Sequence, residues 1–169
     1  MIKKACVIDV ELNSTDMWSG RVLCISALDI DRPDDVKVFY NQREEELIIN
    51  FLKFFNKYKF QKIISYNAPY DHQVVVSRAL KYRLPVSLFY NAKLVDIMQI
   101  LKGKKYNYNK LGSLQDWSKY ILNKEKLQKE ASISELDKEG KLEQIIEYNI
   151  TDTILAYELF KRLDFCLGV

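Results

Sequence analysis

The chain has 169 residues, 48% of them hydrophobic and 12% aromatic, which suits the core of one domain spanning 1–169. A net charge of +3 permits a nucleic-acid partner without demanding one, while 29% charged residues, five Gly and three Pro exclude a disordered or collagenous chain. One histidine and three cysteines, Cys6, Cys24 and Cys166, none paired as CxxC, argue against a zinc site and for reduced structural thiols.

Residues 3–10 (KKACVIDV) read as a buried strand, short, apolar and β-branched. Residues 11–20 are turn-like, residues 21–31 form a second apolar run, and 32–35 (RPDD) spell a turn before an alternating third strand at 36–40. Short links between these three predict an antiparallel meander. Residues 43–58 carry apolar side chains at helical spacing, and 62–66 (KIISY) read as a fourth strand. Asn67-Ala68-Pro69 has the form of a helix start, with the helix running to about Tyr82 before Pro85. A short strand near 86–90 and a helix near 93–101 follow, with Asp96 as a helix cap. A basic loop at 102–110 leads to a helix near 111–121, a Lys- and Glu-rich connection and a last helix over 139–164. The order predicts an α/β fold with a mixed sheet and helices on its faces.

Three groups of residues carry candidate chemistry. Asp9 and Glu11 lie two apart at the end of the first strand, so their carboxylates share one face. Two acids there repel one another and are costly to desolvate without a cation, and magnesium prefers such oxygen ligands. Asp71 falls in the first turn of the second helix, where an acid also simply favours the helix dipole. Tyr148 and Asp152, four apart in the last helix, share a face; a core tyrosine bonded to a neighbouring acid is the alternative to a catalytic pair.

In order and in structural context these groups resemble the motifs of the DEDD (DnaQ-like) 3′→5′ exonuclease superfamily, in its tyrosine-bearing DEDDy branch. Asp9-Val10-Glu11 matches D-x-E on a first strand, Asn67 through Asp71 matches N-x-x-[F/Y]-D, and Tyr148 through Asp152 matches Y-x-x-x-D on a late helix. The only histidine, His72, directly follows Asp71 and is turned away from it on a helix, unlike the histidine of the other branch. The proofreading domains of family B DNA polymerases are the nearest comparison, and RNase D-like RNA-processing enzymes a second.

The resemblance implies an RNase H-like mixed five-stranded sheet, three strands antiparallel and then parallel. It also implies two divalent cations, Mg2+ or Mn2+. Asp9 would bridge both, Glu11 and Asp152 would complete one ion's site, Asp71 would support the other, and Tyr148 would orient the attacking water. The expected substrate is a single-stranded DNA or RNA 3′ end, DNA before RNA, shed as nucleoside 5′-monophosphates; a separate polymerase or repair factor is an expected partner. Leu12, Asn13 and the motif's Asn67 would meet the terminal nucleotide, and Lys104, Lys105 and Tyr106 interleave charge with a ring as strand-binding loops do. Trp18, in a turn-like segment, either stacks on a base or folds back into the core. The N-terminus lacks the form of a secretion signal and no run of eighteen apolar residues occurs, so a cytoplasmic setting without membrane contact is expected. Two other readings stand beside this one: a non-catalytic binding module on the same fold, and another RNase H-like nuclease such as an endonuclease.

Overall fold

The computed structural model describes residues 4–103, 112–127 and 131–169. Five strands form one sheet in the order β3-β2-β1-β4-β5. β1 (Ala5–Leu12), β2 (Val22–Asp29) and β3 (Lys37–Tyr40) pair antiparallel, as the short links predict. β4 (Lys62–Ser65) joins the other side of β1 in parallel, after α1 (Glu44–Tyr58) has carried the chain across the sheet. β5 (Lys93–Asp96) adds parallel to β4 through α2 (Ala68–Lys81). The expected mixed five-stranded architecture is therefore present.

One strand differs in place. Residues 87–90, expected as a strand, form a single helical turn, α3 (Ser87–Tyr90), and the fifth strand is Lys93–Asp96, expected as the start of a helix. Short apolar runs do not distinguish strand from helix by period. Here pairing with Lys62–Ser65 decides, because β5 supplies the partner that the outer edge of β4 requires. The expected helix then begins four residues late as α4 (Ile97–Lys102), with the Asp96 carboxylate accepting from Met98 N at 3.1 Å as its cap. The helix expected near 111–121 is α5 (Leu114–Trp117), continued by a π-helical turn over Ser118–Leu122. α6 (Ile133–Lys138) and the 26-residue α7 (Leu142–Leu167) complete the chain.

The sheet has two buried faces, and β1 alternates between them. Cys6, Ile8, Val10 and Leu12 face a core built with Phe51 and Phe55 of α1 and Val74 and Val75 of α2. Ala5 and Val7 face the opposite way, against Leu155, Ala156, Leu159 and Phe160 of α7. Asp9 and Glu11 continue that second row, so the strand's period of two aims both acids at α7. All three cysteines are free thiols, Cys6 and Cys24 buried and Cys166 exposed. Among the described residues no helix is long and apolar enough to cross a membrane.

Candidate metal centre and strand groove

The parallel pairing of β1 with β4 runs only from Ala5 to Val7, so the last residues of β1 extend past the end of β4. That leaves the N–H of Val10 without a strand partner on this side, and Asp71 fills the gap: its Oδ1 accepts from Val10 N at 3.1 Å and its Oδ2 from Ser65 Oγ. Asp71 thus turns inward from the first turn of α2 and is 4% exposed, so beyond its place at the helix N-terminus it ties α2 to β1 and β4. The helix start is shaped instead by Asn67, whose φ of 72° is left-handed and whose side chain makes no cap; its N–H donates to Asp96 Oδ1 at 3.0 Å. Asparagine is among the residues that accept this conformation.

From the other side α7 brings Asp152 to the acids of β1. Carboxylate oxygens of Asp9, Glu11 and Asp152 lie within 4.8 Å of one another; Asp71 is not one of this group, though its charge acts on Asp9. Tyr148, one turn before Asp152, is buried with Leu23 and Cys24 of β2 and Leu136 of α6. The crevice at the carboxyl ends of strands, where the sheet changes from antiparallel to parallel, is where open α/β sheets bind ligands.

Burial, and then the Glu11, Asp71 and Asp152 carboxylates, push the Asp9 carboxyl well above its ordinary value, with the Lys126 ammonium pulling it back. Burial likewise pushes Asp71 up to about 7 although the Ser65 and Val10 hydrogen bonds favour its charged form. A half-buried cluster of mutually repelling carboxylates is the donor set that suits a hard divalent cation, with oxygen ligands and no histidine or thiolate among them.

Two residues here escaped the sequence reading. Asn149, fully buried, donates from Nδ2 to Asp9 Oδ2 at 2.6 Å and to the Asp9 carbonyl at 3.0 Å, fixing the orientation of that carboxylate. Ser26 of β2 in turn bonds the Asn149 carbonyl and the Thr153 hydroxyl, so a polar seam sets the height of α7 on the sheet. The signal is a pair of polar side chains, Asn149 and Thr153, four apart and so on one face of the last helix. Lys126 forms an ion pair with Asp152; no spacing marks it within a Lys- and Glu-rich connection.

Beside Glu11 opens a groove of about 460 Å³ between the end of β1, Tyr70 and the start of α6 at Ser132–Ser134. Leu12 borders it while packing mostly in the core. Asn13 borders it too, with its side chain committed at both ends: Nδ2 donates to Asp137 Oδ2 at 3.0 Å and Oδ1 accepts from Arg21 N at 2.8 Å. Trp18 is 72% exposed, so it does not fold back into the core. Asn67 is half-buried at the head of α2. Lys104, Lys105 and Tyr106 lie outside the described residues.

Comparisons with known proteins agree with this geometry. A family B DNA polymerase from the hyperthermophilic archaeon Pyrobaculum calidifontis superposes with a TM-score of 0.78 at 16% identity, over 96% of this chain and 25% of the polymerase, a likeness of fold. An uncharacterized protein of Methanocaldococcus jannaschii, MJ0365, is 30% identical over 117 residues, 68% of this chain. The chain spans 64% of the length of that relative. A family model described as the RNase_H superfamily matches residues 6–164. With nearly every element from β1 to the end of α7 inside that match, the chain belongs to the RNase_H superfamily.

Proposed function

We propose that the chain is a metal-dependent 3′→5′ exonuclease of the DEDDy type, releasing nucleoside 5′-monophosphates from single-stranded DNA. The observation that carries this reading is the meeting of Asp9 and Glu11 from β1 with Asp152 from α7, near Asp71 from α2, in a half-buried acidic cluster whose Glu11 borders a groove of about 460 Å³. The likeness to a DNA polymerase supports DNA over RNA as the substrate.

Asp9, Glu11 and Asp152 would hold the divalent ions, Mg2+ or Mn2+, with Asp71 supporting them from the Val10 side. Bound there, the ions supply charge neutralisation at the scissile phosphate and a lowered pKa for water. The chain's own contributions are positional. Asn149 keeps the Asp9 carboxylate in one orientation through its 2.6 Å hydrogen bond. Tyr148 would orient the attacking water by a hydrogen bond from its phenol, a positioning role. Leu12, Tyr70 and Ile133 offer apolar surface to the terminal nucleotide, and the Ser132 and Ser134 hydroxyls edge the same groove. The presence of all four acids and the tyrosine argues against a non-catalytic module, since a site released from selection tends to lose a member.

The test is a gel of 3′- and 5′-labelled single-stranded DNA and RNA with magnesium, with manganese and with chelator. The expected result is a metal-dependent ladder from the 3′ end of DNA, with mononucleotide product, abolished by Asp9→Ala or Asp152→Ala in folded protein. Full activity in either variant removes the assignment, and cleavage of a circular single strand replaces it with an endonuclease.

A further inference from the structure

The segment between β1 and β2 is an exposed loop built with the care of a core. Its neck is closed by Asn13 and Arg21, which exchange backbone and side-chain hydrogen bonds at 3.1 and 2.8 Å. Within it, Asp16 accepts from Trp18 N at 3.1 Å and from Ser19 N at 3.2 Å. Beneath it lies a buried ion pair. Arg78 of α2 and Glu44 of α1 meet at 2.9 Å with their side chains 4% and 6% exposed. The same guanidinium donates upward through Nη2 to the carbonyls of Met17, at 2.6 Å, and Gly20. Glu44 also accepts from Val22 N at 2.6 Å, at the foot of β2, and from the Tyr82 hydroxyl at 2.5 Å. Trp18 therefore stands between two gripped carbonyls with most of its surface in solvent.

An exposed tryptophan by itself needs no explanation, and burying a charged pair commonly stabilises no more than apolar packing would. The combination is informative. A costly buried pair is used to fix the backbone on either side of an exposed ring, and a ring carried on a fixed backbone has less freedom left to lose when a ligand stacks on it. Arg78 also lies two helical turns from Asp71 on the same face of α2, so one helix holds β1 at the acids and holds the loop at the ring.

We propose that Arg78, braced by Glu44, is a positioning residue for strand binding: it holds the 13–21 loop so that Trp18 stacks on a base of the single strand whose 3′ end enters the groove beside Glu11. The inference deepens the exonuclease reading and rests on it for the identity of the ligand. Arg78 itself touches no substrate. The base it serves is any base, since stacking tolerates every nucleobase.

The experiment is a double-mutant cycle in the full chain with Arg78→Lys and Trp18→Ala. Lysine keeps the charge opposite Glu44 but has no planar fork to grip both carbonyls at once. Affinity for a 5′-fluorescein-labelled oligothymidylate is read by anisotropy in chelator, and KM and kcat for the same oligonucleotide with manganese. Each single variant is expected to weaken binding and raise KM about tenfold, the loss of one stacked base, with kcat within about twofold. The double variant is expected to be no worse than either alone, because Arg78 acts only through Trp18. Additive losses, or a fall in kcat without a rise in KM, overturn the proposal. If Arg78→Lys fails to fold, Glu44→Gln, which removes the brace and keeps its shape, must show the same non-additivity with Trp18→Ala. Strand binding without turnover in the native protein would remove the exonuclease reading, while the anisotropy cycle still decides the role of Arg78.

Discussion

Asp9 and Asp71 are held in the fold at a cost that a cation removes. Both carboxyls titrate above their ordinary range, Asp71 at about 7, because burial disfavours their charged forms. An unfolded aspartate titrates near about 4, so between about pH 4 and about pH 7 the native state binds more protons than the unfolded state. Stability of the metal-free protein must then fall as pH rises through that window. In chelator the melting temperature is expected to drop between about pH 5 and about pH 7.5, less steeply in Asp9→Asn, and added manganese should raise it most at the upper end. A melting temperature that climbs across this window in chelator would show that these carboxyls are not strained by burial. The sequence made Asp9 and Glu11 legible because strand period alone puts two acids on one face. It made Asp152 legible through its spacing from Tyr148. It could not reveal that Asp71 turns from its helix toward Val10, since that depends on β4 ending early beside β1.

At the scale of elements, α7 performs two tasks with one stripe. Its first half presents Tyr148, Asn149 and Asp152, and its second half packs Leu155, Leu159 and Leu163 on the sheet beside Val7, Ile64 and Val95. Leu159 is fully buried, so Leu159→Ala is expected to cost about 2–5 kcal/mol in urea denaturation while the folded fraction keeps its kcat/KM. A folded variant with lost turnover would mean that the packing half also sets the catalytic half. Long amphipathic helices such as α1 and α7 were readable from period, and so was the β1–β3 meander. β5 was not, because Lys93–Asp96 carries an apolar pattern that serves a helix equally well until β4 offers it hydrogen bonds. α6 was also missed, although the Ser132–Glu135 capping box stood in the sequence as its start signal.

For the whole molecule, the proposed activity would require a chain of net charge +3 to draw a polyanion toward a site made of acids. The lysines of the expected strand-binding segment are the candidates that the sequence offers for this task. Lys102 closes α4, and Lys104, Lys105 and Lys110 follow it in sequence. Replacing these four by alanine is expected to weaken strand binding and flatten its dependence on salt, read as the slope of log affinity against log salt concentration. An unchanged slope would take this segment out of the strand's path.

Lys126 carries a consequence for the whole assembly. Its ammonium already sits against Asp152, so uptake of a divalent ion at that carboxylate would be an exchange of partners rather than a simple addition. A tethered monovalent charge competes at a fixed local concentration whatever the solution contains, so a divalent ion would have to win by its second charge. The protein thereby carries its own placeholder: the ammonium offsets part of the repulsion that the neighbouring carboxylates impose on Asp9.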